Sequence, residues 1–331
     1  MRAALALAER ARAYTSPNPW VGCRVVGQDG QVLAEGATSP PGGPHAEAVA
    51  LGRAGAAAKG ATVYVSLEPC CHQGRTPPCS DALVQAGVAR VVVGCTDPDQ
   101  RVHGGGIARL RAAGVEVEVG TCEGLARQAL APYLKHRTTG RPWVVLKLAA
   151  SLDGRIAAPG GKSKWVTGEA ARADAHRLRA ESDAVLVGAA TVRQDNPRLT
   201  VRRVEGRSPL RVVLGDIPEG AALRPAVSLR GDLGAVLDEL GARGVLQLLV
   251  EGGARVAHAF HSAGLVDRYV FYFAPALFGG DDAVPMFNGP GAKTMAELWR
   301  GEVVGVERLG EDLRVELAPP ASAGAVPGAS W

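Results

Sequence analysis

Residues 61–94 read ATVYVSLEPCCHQGRTPPCSDALVQAGVARVVVG, and their pattern sets the architecture of the first half of the chain. ATVYVSL (61–67) is a short apolar run rich in β-branched residues, the pattern of a buried strand. Pro77 and Pro78 then mark a helix entry, and the segment they open ends at Gly87, a common helix stop. VARVVVG (88–94) is a second apolar strand. Strands alternating with helices imply an α/β layered domain.

The alternation continues outward. Residues 1–13 read as an Ala-rich amphipathic helix, VGCRVV (21–26) and VLAEG (32–36) as strands, and a helix begins near His45 and runs through AEAVALGRAGAAA. GIARLRAAG (106–114) is a helix, VEVEVG a strand, and EGLARQALAPYLKHRTTG (123–140) one closing helix. Gly140, Arg141 and Pro142 punctuate the chain, which places a domain boundary near 141. The second half alternates again, with strands at 143–149, 184–188, 210–214, 246–250, near 268–274 and within 302–318. Its helices fall at 169–181, 232–241 and 253–263. The expected architecture is two three-layer α/β domains, 1–141 and 142–318. The remainder, 319–331, is rich in Pro, Ala, Gly and Ser and reads as a flexible tail.

With 331 residues and 47% hydrophobic side chains, the chain has enough apolar surface for two cores. A net charge of +4 and 5% aromatics argue against a nucleic-acid partner. Glu9, Arg10 and Arg12 interrupt the N-terminal apolar stretch, which argues against a signal sequence, and no run of 18 apolar residues predicts a membrane span. Six cysteines, three of them within ten positions, do not form a disulfide framework, so a reducing cytoplasm is expected.

His45, in HAE (45–47), and Cys70 and Cys79 in the opening stretch offer three ligands for a tetrahedral zinc, leaving the fourth position for water, as catalytic sites do. Cys70 follows a strand, and Cys79 lies in the first turn of a helix, where free N–H groups favour a thiolate. Glu47 stands two residues from His45, within reach of an activated water, and is the candidate proton shuttle. A structural zinc site would need a fourth ligand from Cys71 or His72 and would leave Glu47 without a role. Cys71 is read as a bystander, His72 as bordering the substrate, and Cys23, Cys95 and Cys122 as small core residues. H-A-E followed by P-C and a later Cys is the zinc-deaminase signature, here with the second cysteine unusually far from the first. HGGGIARL (103–110) is read as a turn and helix start rather than a phosphate loop.

NPWVG (18–22), HAEAVAL (45–51), LEPCCHQGRTPPC (67–79) and DPD (97–99) resemble the deaminase half of the bifunctional deaminase–reductase family of riboflavin biosynthesis. LKLAASLDGRIA (146–157), SKWVTGEAAR (163–172), VGAATVRQDNPRLTVR (187–202) and LLVEGGARVAHAF (248–260) resemble its reductase half. The resemblance implies a cytidine-deaminase-like first domain and a dihydrofolate-reductase-like second. It implies one Zn²⁺ and NADPH as cofactors, and two steps on a phosphoribosyl pyrimidine: hydrolytic removal of an amino group, then reduction of the ribosyl chain to ribityl. A deaminase alone, or a nucleoside or nucleic-acid deaminase carrying a degenerate reductase-like domain, is the alternative. A homodimer or homotetramer is expected by analogy.

Carried over residue by residue, His45, Cys70 and Cys79 bind zinc, Glu47 moves the proton, and Asn18, His72 and Arg75 meet the deaminase substrate. Ala149, Trp165, Thr191, Asp195 and the run Gly253, Ala254, Arg255, Val256, Ala257, His258 and Ala259 match cofactor contacts. Ser163, Arg179, Leu199, Arg202 and Glu251 match contacts to the reductase substrate. Arg179 and Arg202 suit a phosphate clamp. Lys147, in a strand that reads as buried, joins Asp195 and Glu251 as polar groups expected beside hydride transfer. Two positions depart from the family pattern: Thr38 stands where a histidine is common, and Asp99 with Gln100 where Asn-Pro is. The 14 residues between 216 and 231 are also few, which predicts a shortened sheet. Asp216 there is an acid that would not welcome the 2′-phosphate of NADPH.

Overall fold

The computed structural model describes residues 1–74 and 77–320 and divides into two compact units, Met1–Gly140 and a second that starts at Arg141. No helix among the described residues is long and apolar enough to cross a membrane.

The first unit runs α1 (Arg2–Thr15), β1 (Gly22–Val26), β2 (Val32–Ala37), α2 (Ala46–Ala54), β3 (Thr62–Leu67), α3 (Cys79–Gln85), β4 (Arg90–Cys95), α4 (Gly105–Ala112), β5 (Glu116–Val119), α5 (Glu123–Ala129) and α6 (Ala131–Thr139). Its five-stranded sheet has the order β2-β1-β3-β4-β5. β1 pairs antiparallel with β2 and β3, whereas β3, β4 and β5 are parallel. Small residues let helices lie close on both faces. A Cβ on Gly22 would sit 1.9 Å from the Ala4 carbonyl oxygen of α1. One on Gly36 would sit 2.3 Å from the Ala46 oxygen of α2. Gly36 pairs with Cys23, the neighbour of Gly22, so the two glycines face opposite sides of the pleat.

The single helix expected over 123–140 is two. Pro132 has no N–H to continue the ladder, and its ring clashes with a carbonyl one turn earlier. The break falls at Leu130 (φ −96°, ψ 7°), and α6 starts afresh with the proline in its first turn, where it is tolerated.

The second unit runs β6 (Trp143–Ser151), β7 (Arg155–Ala157), α7 (Glu169–Ala180), β8 (Ala184–Gly188), α8 (Ala189–Asp195), β9 (Leu210–Leu214), β10 (Val227–Leu229), α9 (Leu233–Ala242), β11 (Gln247–Val250), α10 (Ala254–Ser262), β12 (Arg268–Ala274), β13 (Val284–Pro285), β14 (Glu302–Leu309) and β15 (Asp312–Ala318). Eight strands form one sheet in the order β10-β9-β8-β11-β6-β12-β15-β14, parallel through β12, with the β14–β15 hairpin antiparallel at one edge. Alternate residues feed two cores. Val144, Leu146, Leu186, Leu248 and Val250 pack on one side with Leu240 of α9 and Phe260 of α10. Val145, Val185, Val187 and Leu249 pack on the other with Leu178 of α7 and Val192 of α8. Burial on both faces explains why these strands read as unbroken apolar runs.

The shortened sheet expected between 216 and 231 is corrected. Val227–Leu229 pairs in parallel with Val212–Leu214 as an edge strand, and the economy is in the connection, which holds no helix. α8 is absent from the sequence reading: its AATVRQD stretch has too few apolar positions to show a helical period.

Gly36→Ala is expected to cost about 1–3 kcal/mol in urea unfolding, because the added Cβ meets backbone atoms of α2, Ala46 O and Ala50 N, rather than a side chain that can turn away.

Candidate functional site

His45 is the residue at which α2 begins, and Cys79 the first residue of α3. Cys70 lies in the loop that leaves β3. The ligand atoms of these three side chains all lie within 4.8 Å of one another. His45 Nδ1 is 3.3 Å from Cys79 Sγ and 3.6 Å from Cys70 Sγ, and the Cys79 backbone N–H donates to Cys70 Sγ at 3.3 Å. Cys70 is pulled down to about 4, chiefly by its hydrogen bond with Cys79 and then by His45. Cys79 is pushed far up, because a second thiolate beside the first, in a buried place, is unfavourable. A cation would remove that conflict, and a His/Cys/Cys set is a zinc-type donor set.

Glu47, in the first turn of α2, is buried, and burial raises its carboxyl to about 7. It lines a cavity of about 730 Å³ together with His45, Cys70, Asn18, Thr38 and His72. His72 Nδ1 is buried and has no hydrogen-bond partner among the described residues, which leaves a polar atom for a ligand. Thr38 is committed to the backbone: its Oγ1 accepts from Val21 N–H at 3.0 Å. Cys71 turns its thiol to the Arg101 carbonyl, away from the three donors. Cys23 and Cys95 are buried, whereas Cys122 is half-buried with a positive φ at the start of α5. Arg75 lies outside the described residues.

The sequence reading missed the residue that holds this site together. Glu68, next to Pro69 and Cys70, is buried and accepts the backbone N–H groups of Asp97, Gly104, Gly106 and Ile107 at 3.0–3.2 Å. The start of α4 is thus filled by the protein's own carboxylate, and HGGGIARL is a turn and helix start. Gly106 is required: a Cβ there would lie 1.9 Å from the Pro69 oxygen. The cavity is also lined by Asp97, Asp99, Tyr133, Arg101 and Arg137. Tyr133 donates to Asp97, whose carboxyl is raised to about 6 by burial. Glu68 carried a signal like that of Lys147, a charged residue at the edge of an apolar strand.

In the second unit, Glu251 follows β11, and Gly252 and Gly253 lead into α10. A Cβ on Gly252 would press on Val256 at 2.5 Å, so glycine is needed for the tight strand-to-helix turn. Arg179 of α7 grips Glu251 with both arms, at 2.5 and 2.8 Å, and Lys147 Nζ of β6 lies 3.9 Å from the same carboxylate. Glu251 is held down at about 2: burial opposes ionisation, and the Arg179 charge and hydrogen bonds overcome it. Burial lowers Lys147. The arginine fork expected to clamp phosphate is therefore engaged with Glu251. Arg202 is exposed, with its guanidinium on Thr200 and its backbone N–H on His176 Nδ1. His176, lowered to about 4 by burial and then by Arg179, escaped the sequence reading.

The other expected residues are placed as follows. Asp195 accepts from Ser163 at 3.2 Å rather than pairing with Lys147. Trp165 is 70% exposed, under the Arg172 guanidinium. Leu199 is buried at φ 54°, Thr191 is on α8 with its Oγ1 near Gly253, and Ala149 is on β6. Ala254, Arg255, Val256, Ala257, His258 and Ala259 form the first turns of α10. Asp216 is exposed and paired with Arg230.

Two family models match the chain. One is described as cytidine and deoxycytidylate deaminase zinc-binding region (residues 1–95), the other as RibD C-terminal domain (142–315). The riboflavin biosynthesis protein RibD of Chlamydia trachomatis is 45% identical, covering 87% of this chain and 86% of that protein. That of Escherichia coli K12 is 39% identical over 96% and 98%. Among solved structures, Acinetobacter baumannii RibD superposes with a TM-score of 0.90 at 41% identity, covering 96% of this chain and 97% of the other. A Thermotoga maritima diaminohydroxyphosphoribosylaminopyrimidine deaminase/5-amino-6-(5-phosphoribosylamino)uracil reductase does so at 0.86 and 35%, with the same coverage.

The chain belongs to the RibD family.

It is a bifunctional enzyme of riboflavin biosynthesis, with the deaminase in its first unit and the reductase in its second. The RibD C-terminal match begins one residue after the Arg141 that opens the second unit. The zinc-binding-region match ends at Cys95, before the Asp97–Arg137 side of the cavity.

Arg179→Ala strands the buried Glu251 and is expected to cost about 3–5 kcal/mol at neutral pH. The pair stabilises the fold above the ordinary carboxyl range, and that contribution fades as pH falls toward the folded value of about 2. The gap between variant and parent in urea unfolding should therefore narrow on going from pH 7 to pH 4.

Proposed function

We propose that the first unit deaminates a phosphoribosylaminopyrimidine hydrolytically with one zinc held by His45, Cys70 and Cys79, and that the second reduces the product's ribosyl chain with NADPH. The observation that carries this reading is the meeting of the three donor atoms, within 4.8 Å of one another, at a cavity that His45 and Cys70 line together with the buried Glu47. When bound, zinc supplies the Lewis acidity that makes water nucleophilic at neutral pH. Glu47 takes the proton of the attacking water on its carboxylate and delivers it to the nitrogen of the leaving amine, which departs as ammonia. Burial keeps bulk water from competing for that proton. Asn18 and His72 line the same cavity and orient the pyrimidine by hydrogen bonds.

In the second unit the glycines before α10 admit the cofactor's phosphates to the helix start, at the carboxyl end of a parallel strand. NADPH supplies the hydride. Glu251, fixed by Arg179, is a rigid hydrogen-bond acceptor for the ribosyl hydroxyls, and Lys147 beside it provides a positive charge at the same place.

The two activities should separate. Glu47→Gln is expected to retain zinc, by metal analysis, and to lose roughly a hundredfold or more in ammonia release. NADPH oxidation on the already deaminated intermediate should continue in that variant. Treatment with a zinc chelator should give the same split, stopping ammonia release while the second step persists. Undiminished deamination by Glu47→Gln would remove the carboxyl from the reaction.

A further inference from the structure

The deaminase cavity is lined by four carboxylates, Glu47, Glu68, Asp97 and Asp99, yet its substrate carries a phosphate. Three of these acids are consumed by the protein. Glu68 takes four backbone N–H groups, and Asp97 takes the Tyr133 hydroxyl and the Asp99 N–H. Asp99 faces two cations at once. Arg101 binds it with both arms, Nε to Oδ1 at 3.0 Å and the other nitrogen to Oδ2 at 2.8 Å. Arg137, from α6, brings its Nε to 3.4 Å of the same Oδ2. The two guanidiniums outnumber the one carboxylate they share.

Arg137 is held by neutral neighbours as well as by Asp99: its Nη1 lies 3.4 Å from His136 Nδ1, and its head stacks 5.0 Å over the Tyr133 ring, which fixes its direction. Arg101 and Arg137 are the arginines that line the cavity among the described residues. A planar, always-charged guanidinium held in place before the ligand arrives is what a phosphate needs.

Resting on the deaminase reading above, we infer that Arg101 and Arg137, braced by Asp99, bind the 5-phosphate of the deaminase substrate. Asp99 is then a positioning residue that orients both forks without touching the ligand. The assignment gives a role to a position where the chain departs from the family pattern, and it draws part of the site from α6.

The test compares ammonia release from the phosphorylated substrate and from its dephosphorylated riboside. Wild type should prefer the phosphorylated compound in kcat/KM. Arg137→Gln and Arg101→Gln should each lower that preference roughly ten- to a hundredfold, the span of one charge-assisted hydrogen bond, with the loss carried by KM. Arg137→Lys should restore part of it. Inorganic phosphate should inhibit wild type competitively and the glutamine variants more weakly. An equal loss on both compounds would mean that the arginines only support the fold and would overturn the assignment, as would an unchanged preference in both glutamine variants. If wild type released ammonia from neither compound, the deaminase reading would fall and this assignment with it. Turnover of the riboside without a phosphate preference would overturn the assignment alone.

Discussion

The carboxylate of Glu68 is the point on which the first unit turns. Taking an ionised group out of water costs several kcal/mol, and here four backbone N–H groups meet it. Those donors belong to two separate stretches: the exit of β4 at Asp97, and the start of α4 at Gly104–Ile107. Glu68 itself belongs to the exit of β3. One side chain therefore ties together the loop that carries Cys70 and the loop that carries Asp97 and Asp99. With Gly106 packed on the Pro69 carbonyl, the Cys70 loop has little freedom, and Cys70 is held beside His45 and Cys79.

The second unit solves a similar problem with opposite charges. Glu251 is buried at a strand end, where an uncompensated acid would be protonated or would unfold its surroundings. The Arg179 fork and the Lys147 ammonium keep it ionised. The same triad takes polar groups that would otherwise serve a substrate directly and gives them fixed geometry first. In both units, preorganised charge at the carboxyl ends of parallel strands is the common device.

Much of this was legible in the sequence. Apolar runs flanked by Gly and Pro located most strands but not the short β7, β10 and β13, and rare donor types at close spacing picked out His45, Glu47, Cys70 and Cys79. What stayed hidden has physical reasons. The Leu130 break hangs on one proline inside an otherwise helical pattern, and α8 has too weak a period to see. Glu68, Arg137 and the Arg179–Glu251 fork act through partners distant in sequence: 72 positions separate the members of that fork. A charged residue at a strand edge announces that it has a partner. Only the folded chain says which.

The break between α5 and α6 carries one more consequence. Because the chain restarts at Ala131, a short separate helix supplies Tyr133 and Arg137 to the cavity that His45 and Cys70 also line. The chemistry-bearing motif and the catalytic module are thus different lengths of chain. A fragment cut at Cys95, where the zinc-binding signature stops, would keep all three metal donors while discarding one wall of the chamber in which they work. Recombining deaminases at the edge of the recognisable signature would transplant the reactive centre without the walls that choose its substrate. The natural seam of exchange lies at Gly140, after the last helix of the first unit.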